Sequence, residues 1–503
     1  MRQLRWLVLI AAVVLVRLRA DITEAQPPRH AQLVIVVDGL RPDYVTRDVM
    51  PRLYRLGQRG IVFTAHHSVF PTVTRVNASS MVTGAYPETH GLLGNTIYIP
   101  PVNATRGIDT GERENLEAVE RAEGKLLTVP TLGEILRQNG RKLLGVSSGG
   151  SGSAYLLNHT VSGGAILHND YTKPPELAPK VLAVLGPPPA HETPNDPQNQ
   201  RAIDAYLKLG VDDLRPDVTI LWLNDPDGTA HANGVGAPLT RKSLTLVDGA
   251  IGRLEDGLRA RGILDSTNII VASDHGFSTE TGELNLPALV APFARTMANG
   301  STDIVVAEGA IYLLQRDQAR VAAIVAALQQ RPEVGAIFTR PGPDRKAAAG
   351  IVPGTLSFDV ARWNHPRSGD ILVSANWTNK TNEFGFKGTT TQEGMAGHGT
   401  SSPYDIHNTL MAAGPEFREH ATSNLPTSNV DLAPTLLRLL GIPVAPSMTG
   451  RVIEESLRGA SRRLLKTEAR EVVGTADGQY TLTAHFSIVA GYRYLDYTDV
   501  KRR

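Results

Sequence analysis

Leu33-Val-Ile-Val-Val37, followed at once by Asp38-Gly39, is a short β-branched apolar run that stops on an acid. Two later stretches repeat the arrangement. Val218 to Leu223 ends in Asn224-Asp225-Pro226-Asp227, and Ile269 to Ala272 ends in Ser273-Asp274-His275-Gly276. Runs that are apolar throughout, rather than alternating, predict strands buried on both faces, as in a parallel sheet covered by helices.

Helical patterns lie between these runs. Leu244, Val247, Ile251, Leu254 and Leu258 keep the spacing of one apolar helix face, and Gly262 follows as a stop. Thr131 to Gln138 carries an N-cap residue at one end and Gly140 at the other, and Val430 to Leu440 is closed by Gly441 and Pro443. Strands alternating with helices predict an α/β fold with a central, mostly parallel sheet sandwiched by helices. Residues 283–365 have a different rhythm: strand-like 303–307 and 310–314, a helix over 319–330, then strand-like 334–339. They predict a smaller α+β insertion between two parts of the main body, 26–282 and 366–503. Residues 177–200, rich in Pro, Asn and Gln, read as a surface loop. The tail from about 459 opens basic and becomes strand-like through Tyr480 to Tyr497.

The first 25 residues have the order of a signal peptide. Arg2 and Arg5 precede the apolar run Trp6 to Val16, and Thr23-Glu24-Ala25 offers a small-x-small cleavage site. The expectation is export to the periplasm or beyond; an uncleaved N-terminal anchor is the alternative, because Arg17 and Arg19 follow the run. No later stretch approaches the roughly 20 apolar residues of a membrane span. Lys and Arg number 51 against 50 acids over the 503 residues. So balanced a chain has no basic field to gather nucleic acid. The absence of cysteine excludes disulfides, thiol nucleophiles and thiolate metal sites. The Asn-x-Ser/Thr sequons, such as Asn103-Ala-Thr and Asn77-Ala-Ser, read as chance matches. Oligomeric state leaves no trace in the sequence.

The chemistry-bearing residues gather where strands end. In an open parallel sheet the carboxyl edges of the strands form the ligand crevice, so Asp38, Asp227 and Asp274 are expected to converge. His231 follows Asp227 by four residues, which on a helical turn puts carboxylate and imidazole on one side. His275 adjoins Asp274, and His398 stands between Gly397 and Gly399, where the backbone can approach a neighbour closely. Three carboxylates and three imidazoles suit two divalent ions, zinc first, with manganese or iron as alternatives. The hydroxyl-rich stretch Phe70-Pro-Thr-Val-Thr74 offers a nucleophile in Thr72 or Thr74. Neither hydroxyl is reactive at neutral pH without a base or a metal. No Gly-x-Ser-x-Gly elbow supplies a base, so the metal reading accounts for both features.

Val36-Val-Asp-Gly-Leu-Arg-Pro42, Phe70-Pro-Thr-Val-Thr74, Val82-Thr-Gly-Ala-Tyr-Pro-Glu-Thr-His-Gly91, Asn224-Asp-Pro-Asp-Gly-Thr-Ala-His231, Ser273-Asp-His-Gly276 and Gly397-His-Gly399, in this order, resemble the alkaline phosphatase superfamily. The resemblance is to its type I phosphodiesterase/nucleotide pyrophosphatase branch. It implies an alkaline phosphatase-like main body and a phosphodiester or pyrophosphate hydrolase working through a phospho-threonine. Thr74 becomes the nucleophile, Asp38, Asp274 and His275 the ligands of the ion that activates it, and Asp227, His231 and His398 the ligands of a second ion. Asn95 matches the asparagine that hydrogen-bonds a phosphate oxygen. The chain departs from the eukaryotic-type pattern on both sides of Thr74, where Val73 replaces a lysine and Arg75 an aromatic residue that helps stack a base. A small phosphate ester is the expected substrate, and Arg75 could attract a second phosphate or a carboxylate. A phosphomonoesterase or phosphonate hydrolase of the same superfamily is the alternative. A non-catalytic metal-holding binding protein is the alternative from another class. Sulfatases are disfavoured, because they need a Cys or Ser at the nucleophile position.

Overall fold

The computed structural model describes residues 30–161, 163–344, 348–460 and 465–503. The predicted signal peptide lies outside the described residues, as do Arg462 and Arg463 of the basic tail. Among the described residues no helix is long and apolar enough to cross a membrane.

The three apolar runs form the centre of the main sheet. Ala31–Val37 pairs in parallel with Thr267–Ala272 on one side and Val218–Leu223 on the other. Leu143–Ser147 and Ala165–His168 continue the parallel order outward. Beyond Thr267–Ala272 lie antiparallel Leu410–Ala413, then Ile61–Phe63 and Ala421–Ser423. With the edge strand Thr172–Lys173, this makes a nine-stranded sheet among the described residues.

Side chains alternate across a strand, so each central run feeds two cores. Val34, Val36, Ile220, Trp222, Ile270 and Ala272 enter one cluster, while Leu33, Ile35, Val37, Leu221, Leu223, Ile269 and Val271 enter the other. Helices cover both faces, which is why the strands are apolar along most of their length; the buried Gln32 and Asn268 near their starts satisfy each other, the Asn268 amide donating to Gln32 Oε1 at 3.1 Å. Pro238–Ala260 buries Leu244, Val247, Ile251, Leu254 and Leu258, the face read from the sequence. On the opposite side Thr74–Thr83, Leu132–Gln138, Ser151–Leu157 and Leu432–Leu439 pack with the other cluster. Leu132–Gln138 starts at a capping box, in which Thr131 and Glu134 satisfy each other's backbone N–H groups.

Two expectations are corrected. Residues 177–200 are not a loop throughout: Ala178–Leu185 is helical and Asp196 opens another helix. Pro179 and Pro197 stand in first turns, where the missing N–H costs no hydrogen bond, while Pro187, Pro188, Pro189 and Pro194 lie in the connection between the two helices. The second correction concerns the smaller sheet. Its order is Ile304–Ala307, Ala310–Leu313, Ile371–Ala375, Val334–Thr339, Leu356–Ser357. Its middle strand thus lies past residue 365, where the sequence placed the edge of this unit. Its core is continuous with that of the main sheet. Three antiparallel strands, Thr467–Ala476, Tyr480–Val489 and Tyr492–Arg502, close the chain.

Candidate metal centre

Strand register brings the first two acids together. Val36 pairs with both Ala272 and Trp222. The chain therefore leaves the sheet at Asp38 and Asp274 side by side, and Trp222 stands beneath them. The Trp222 indole Nε1 donates to Asp38 Oδ2 at 2.8 Å, and the Gly39 N–H donates to Asp274 Oδ1 at 3.1 Å. Gly39 takes φ +69°, and a Cβ there would lie 3.0 Å from the Phe277 ring, so the turn after Asp38 needs glycine. Asp227 opens the helix Asp227–Asn233, and His231 lies one turn on. Asp227 Oδ1 is 3.3 Å from His231 Nε2, the same-side geometry expected from the spacing of four. His398 Nε2 reaches the same oxygen at 3.4 Å. Gly399 adopts φ +114° and its Cα side faces Val73, where a Cβ would meet Cγ1 at 3.1 Å. This is the close approach that the flanking glycines predicted.

Five of the six side chains meet around one point, with His231 beside Asp227. His275 Nε2 lies 3.1 Å from Asp274 Oδ2, 3.6 Å from Asp38 Oδ1 and 4.0 Å from Asp227 Oδ1. Two overlapping sets, Asp38–Asp274–His275 and Asp227–His275–His398, each hold their ligating atoms within 4.8 Å. His275 therefore faces both sets, whereas His231 touches the centre through Asp227. The rings of His275 and His398 stack at 3.4 Å between centroids.

The donor set fits divalent cations on two counts. Asp38 Oδ1, Asp227 Oδ1 and Asp274 Oδ2 are buried without a hydrogen-bond partner, one oxygen from each acid, and all three turn inward. A buried carboxylate oxygen left so is costly unless a cation neutralises it. The three imidazoles supply the second count. Nδ1 of His275 donates to Gly276 O at 2.9 Å, Nδ1 of His231 to Ala396 O at 2.8 Å, and Nδ1 of His398 to Thr72 O at 2.8 Å. A carbonyl can only accept, so each Nδ1 carries a proton and Nε2 is left as the atom that a cation can take. This outer hydrogen bonding is how metal-ligating histidines are held.

Without a cation, protons must take its place, and the titration behaviour follows. Burial raises the Asp38 carboxyl well above the usual carboxylate range, with Asp274 and Asp227 adding to the effect. Burial opposes the charged form of Asp227 as well, but His231 and His398 prevail and hold its carboxyl low. His398 is pushed down to about 4 by burial and the neighbouring His275. Burial also works against His231, yet the Asp227 carboxylate outweighs it and pushes the imidazole up to about 9. A cation at His231 Nε2 must displace that proton. Zinc affinity of the metal-free protein is thus expected to rise with pH up to about 9 and to flatten above it. Calorimetric zinc titrations in buffers of different ionisation enthalpy check this: proton release near neutral pH should vanish at higher pH.

The two hydroxyls separate cleanly. Thr72 Oγ1 donates to Thr400 O at 2.7 Å and accepts from the Gly399 N–H at 3.0 Å, so it is consumed in fixing the His398 segment. Thr74 Oγ1 points into the centre, 3.3 Å from His275 Nε2. It is the first residue of the helix Thr74–Thr83, whose N-terminal field favours negative charge. Asn95 lies beside it, its Oδ1 accepting from the Arg75 N–H at 3.1 Å. With the oxygen taken, the amide has N–H donors to offer.

A model of the family described as type I phosphodiesterase/nucleotide pyrophosphatase matches residues 32–397, a span that holds Thr74, Asn95 and five of the six candidate ligands and ends one residue before His398. The chain belongs to that family. Human ectonucleotide pyrophosphatase/phosphodiesterase family member 1 is 28% identical over 249 residues, covering 48% of this chain and 23% of the relative. The venom phosphodiesterase of Naja atra is 26% identical over 246 residues, covering 48% and 26%. The chain thus matches about a quarter of the length of these curated relatives. Among solved structures, murine ectonucleotide pyrophosphatase/phosphodiesterase 5, an inactive form in complex with AMP, aligns with a TM-score of 0.61 at 17% identity. That alignment covers 86% of this chain and 100% of the murine one, a likeness of fold.

Against the family's six sequence motifs, the centre also uses residues that carried no signal of their own. Trp222 reads as one more apolar strand residue, and Ala396 acts through its backbone carbonyl; Thr72, read as a candidate nucleophile, instead acts through its carbonyl and as a hydroxyl that fixes the His398 segment. Glu280 is another such residue, its carboxyl pushed up to about 7 by burial near His231. Two clefts flank the centre. One of about 510 Å³ is lined by Phe70, Leu93, Trp363 and, from the smaller sheet, Tyr312. The other, of about 720 Å³, is polar and lined by Arg75, Asn224, Ser148 and Gln198.

Proposed function

We propose that this chain is an exported hydrolase of phosphodiester or pyrophosphate bonds, working through a phospho-threonine at Thr74 with two divalent ions, zinc first. The observation that carries the reading is the convergence of three partnerless carboxylate oxygens with His275 and His398, where His275 Nε2 lies 3.3 Å from the Thr74 hydroxyl. Asp38, Asp274 and His275 would hold the ion nearer Thr74, and Asp227, His231 and His398 the other. When bound, the ions supply Lewis-acid charge that lowers the hydroxyl pKa and screens the phosphoryl oxygens.

The chain's own residues do the rest. Thr74 Oγ1, fixed at a helix start, attacks phosphorus as the ester oxygen departs on the opposite side, and threonine carries the phosphoryl group until water removes it. The Asn95 amide donates to a non-bridging oxygen, held in register by the Arg75 N–H. The Arg75 guanidinium, which follows Thr74 in the chain and lines the polar cleft, suits an anionic substituent on phosphorus. The curated relatives include a human ectonucleotide pyrophosphatase/phosphodiesterase and venom phosphodiesterases by name, which supports both the bond type and export.

A kinetic panel of aryl diester, aryl monoester, dinucleotide and phosphonoacetate, with zinc supplied, tests the substrate class. The expected result is a higher kcat/KM for the diester than for the monoester or the phosphonate. A monoester preference would overturn the assignment of bond type while leaving the centre intact.

A further inference from the structure

A third group of ligating side chains lies apart from the centre. His67 belongs to the short strand His66–His67, His407 follows the helix Pro403–Ile406, and Asp496 lies on Tyr492–Arg502, the last strand of the chain. Each offers one ligating atom, and the three atoms lie within 4.8 Å of one another. His67 Nδ1 donates to Thr427 O at 2.9 Å, while its Nε2 lies 2.7 Å from Asp496 Oδ1. The other oxygen of Asp496 accepts from Ser487 Oγ at 3.0 Å. The two imidazole rings are tilted by 55° with centroids 4.6 Å apart.

The proton on Nδ1 is spoken for by a carbonyl, so Nε2 and Oδ1 are two electron-rich atoms at hydrogen-bond distance. They need positive charge between or beside them. One divalent ion satisfies all three groups at once. The arrangement also repeats that of the main centre: imidazole held by a backbone carbonyl on its far side, carboxylate held by a second hydrogen bond.

We propose that His67, His407 and Asp496 form an additional divalent-cation site of the zinc class, separate from the Thr74 centre. Two nitrogens and a carboxylate oxygen are a zinc-type donor set, with water completing the tetrahedron. Its three ligands come from the body of the fold and from the C-terminal three-stranded sheet. A bound ion would clip that sheet to the segment leading into Phe70-Pro-Thr-Val-Thr74.

Zinc content of the full chain, loaded with zinc and desalted, tests the site against Asp496→Asn and His407→Gln. Each variant is expected to hold one equivalent fewer than the unmodified chain while keeping its turnover of an aryl diester. A drop of one equivalent supports the site even if the unmodified chain holds fewer than three, so failure of the Thr74 centre is read separately. Equal zinc content in all three proteins would overturn it. Should a variant not fold, anomalous diffraction from the zinc-soaked unmodified protein decides: a peak among His67, His407 and Asp496 supports the site, and its absence overturns it.

Discussion

Thr74→Ala is expected to lower the turnover of an aryl phosphodiester by about 10⁴-fold or more, the usual scale for loss of a covalent nucleophile. Metal content should stay the same, because the six inward ligands do not depend on the Thr74 methyl or hydroxyl for their position. Their imidazoles are anchored by Gly276 O, Ala396 O and Thr72 O, none of which the substitution touches. Steady-state kinetics beside elemental analysis gives both readings. Thr72→Ala should behave differently. It breaks the bonds to Thr400 O and the Gly399 N–H, loosens the His398 segment, and lowers zinc affinity along with rate. The pair of variants therefore distinguishes a reacting hydroxyl from one that fixes the chain.

Asp227→Asn is expected to have the second large effect. Asp227 Oδ1 stands 3.3 Å from His231 Nε2 and 3.4 Å from His398 Nε2, a single anionic oxygen facing two imidazoles. Asparagine keeps the shape and removes the charge. A lost ion withdraws several kcal/mol of transition-state stabilisation, on the order of 10³-fold in rate. Zinc content should fall by at least one equivalent. In the metal-free variant the His231 imidazole, no longer held by Asp227, should titrate well below about 9, a change that NMR of the histidine ring can follow.

Much of this architecture was legible because it follows from local patterns. Three apolar runs ending on acids predict buried parallel strands, and the carboxyl edge of such a sheet is one place. Asp227 and His231 lie on one helical face by spacing alone. What could not be read depends on contacts distant in the chain or on atoms common to every residue. Trp222 supports Asp38 only because Val36 and Trp222 share a register. The carbonyls of Ala396 and Thr72, which orient two imidazoles, carry no residue signature. Ile371–Ala375 joins the smaller sheet by inserting between Ala310–Leu313 and Val334–Thr339, a pairing no local pattern reveals. The prolines of 177–200 read as loop formers, whereas Pro179 and Pro197 stand in helix first turns. The family resemblance assigned His275 to one ligand set, yet its Nε2 faces Asp38, Asp274 and Asp227 together.

The central claim is that Thr74 carries the phosphoryl group. Rapid acid quench of the zinc-loaded chain during turnover of an aryl diester, followed by peptide mass spectrometry, tests it most directly. The account predicts a phosphorylated or phosphoester-modified Thr74 in the peptide containing Phe70-Pro-Thr-Val-Thr74, formed within the first turnover and absent from Thr74→Ala. Full turnover with Thr74 unmodified throughout, or with the modification on another residue, would contradict it.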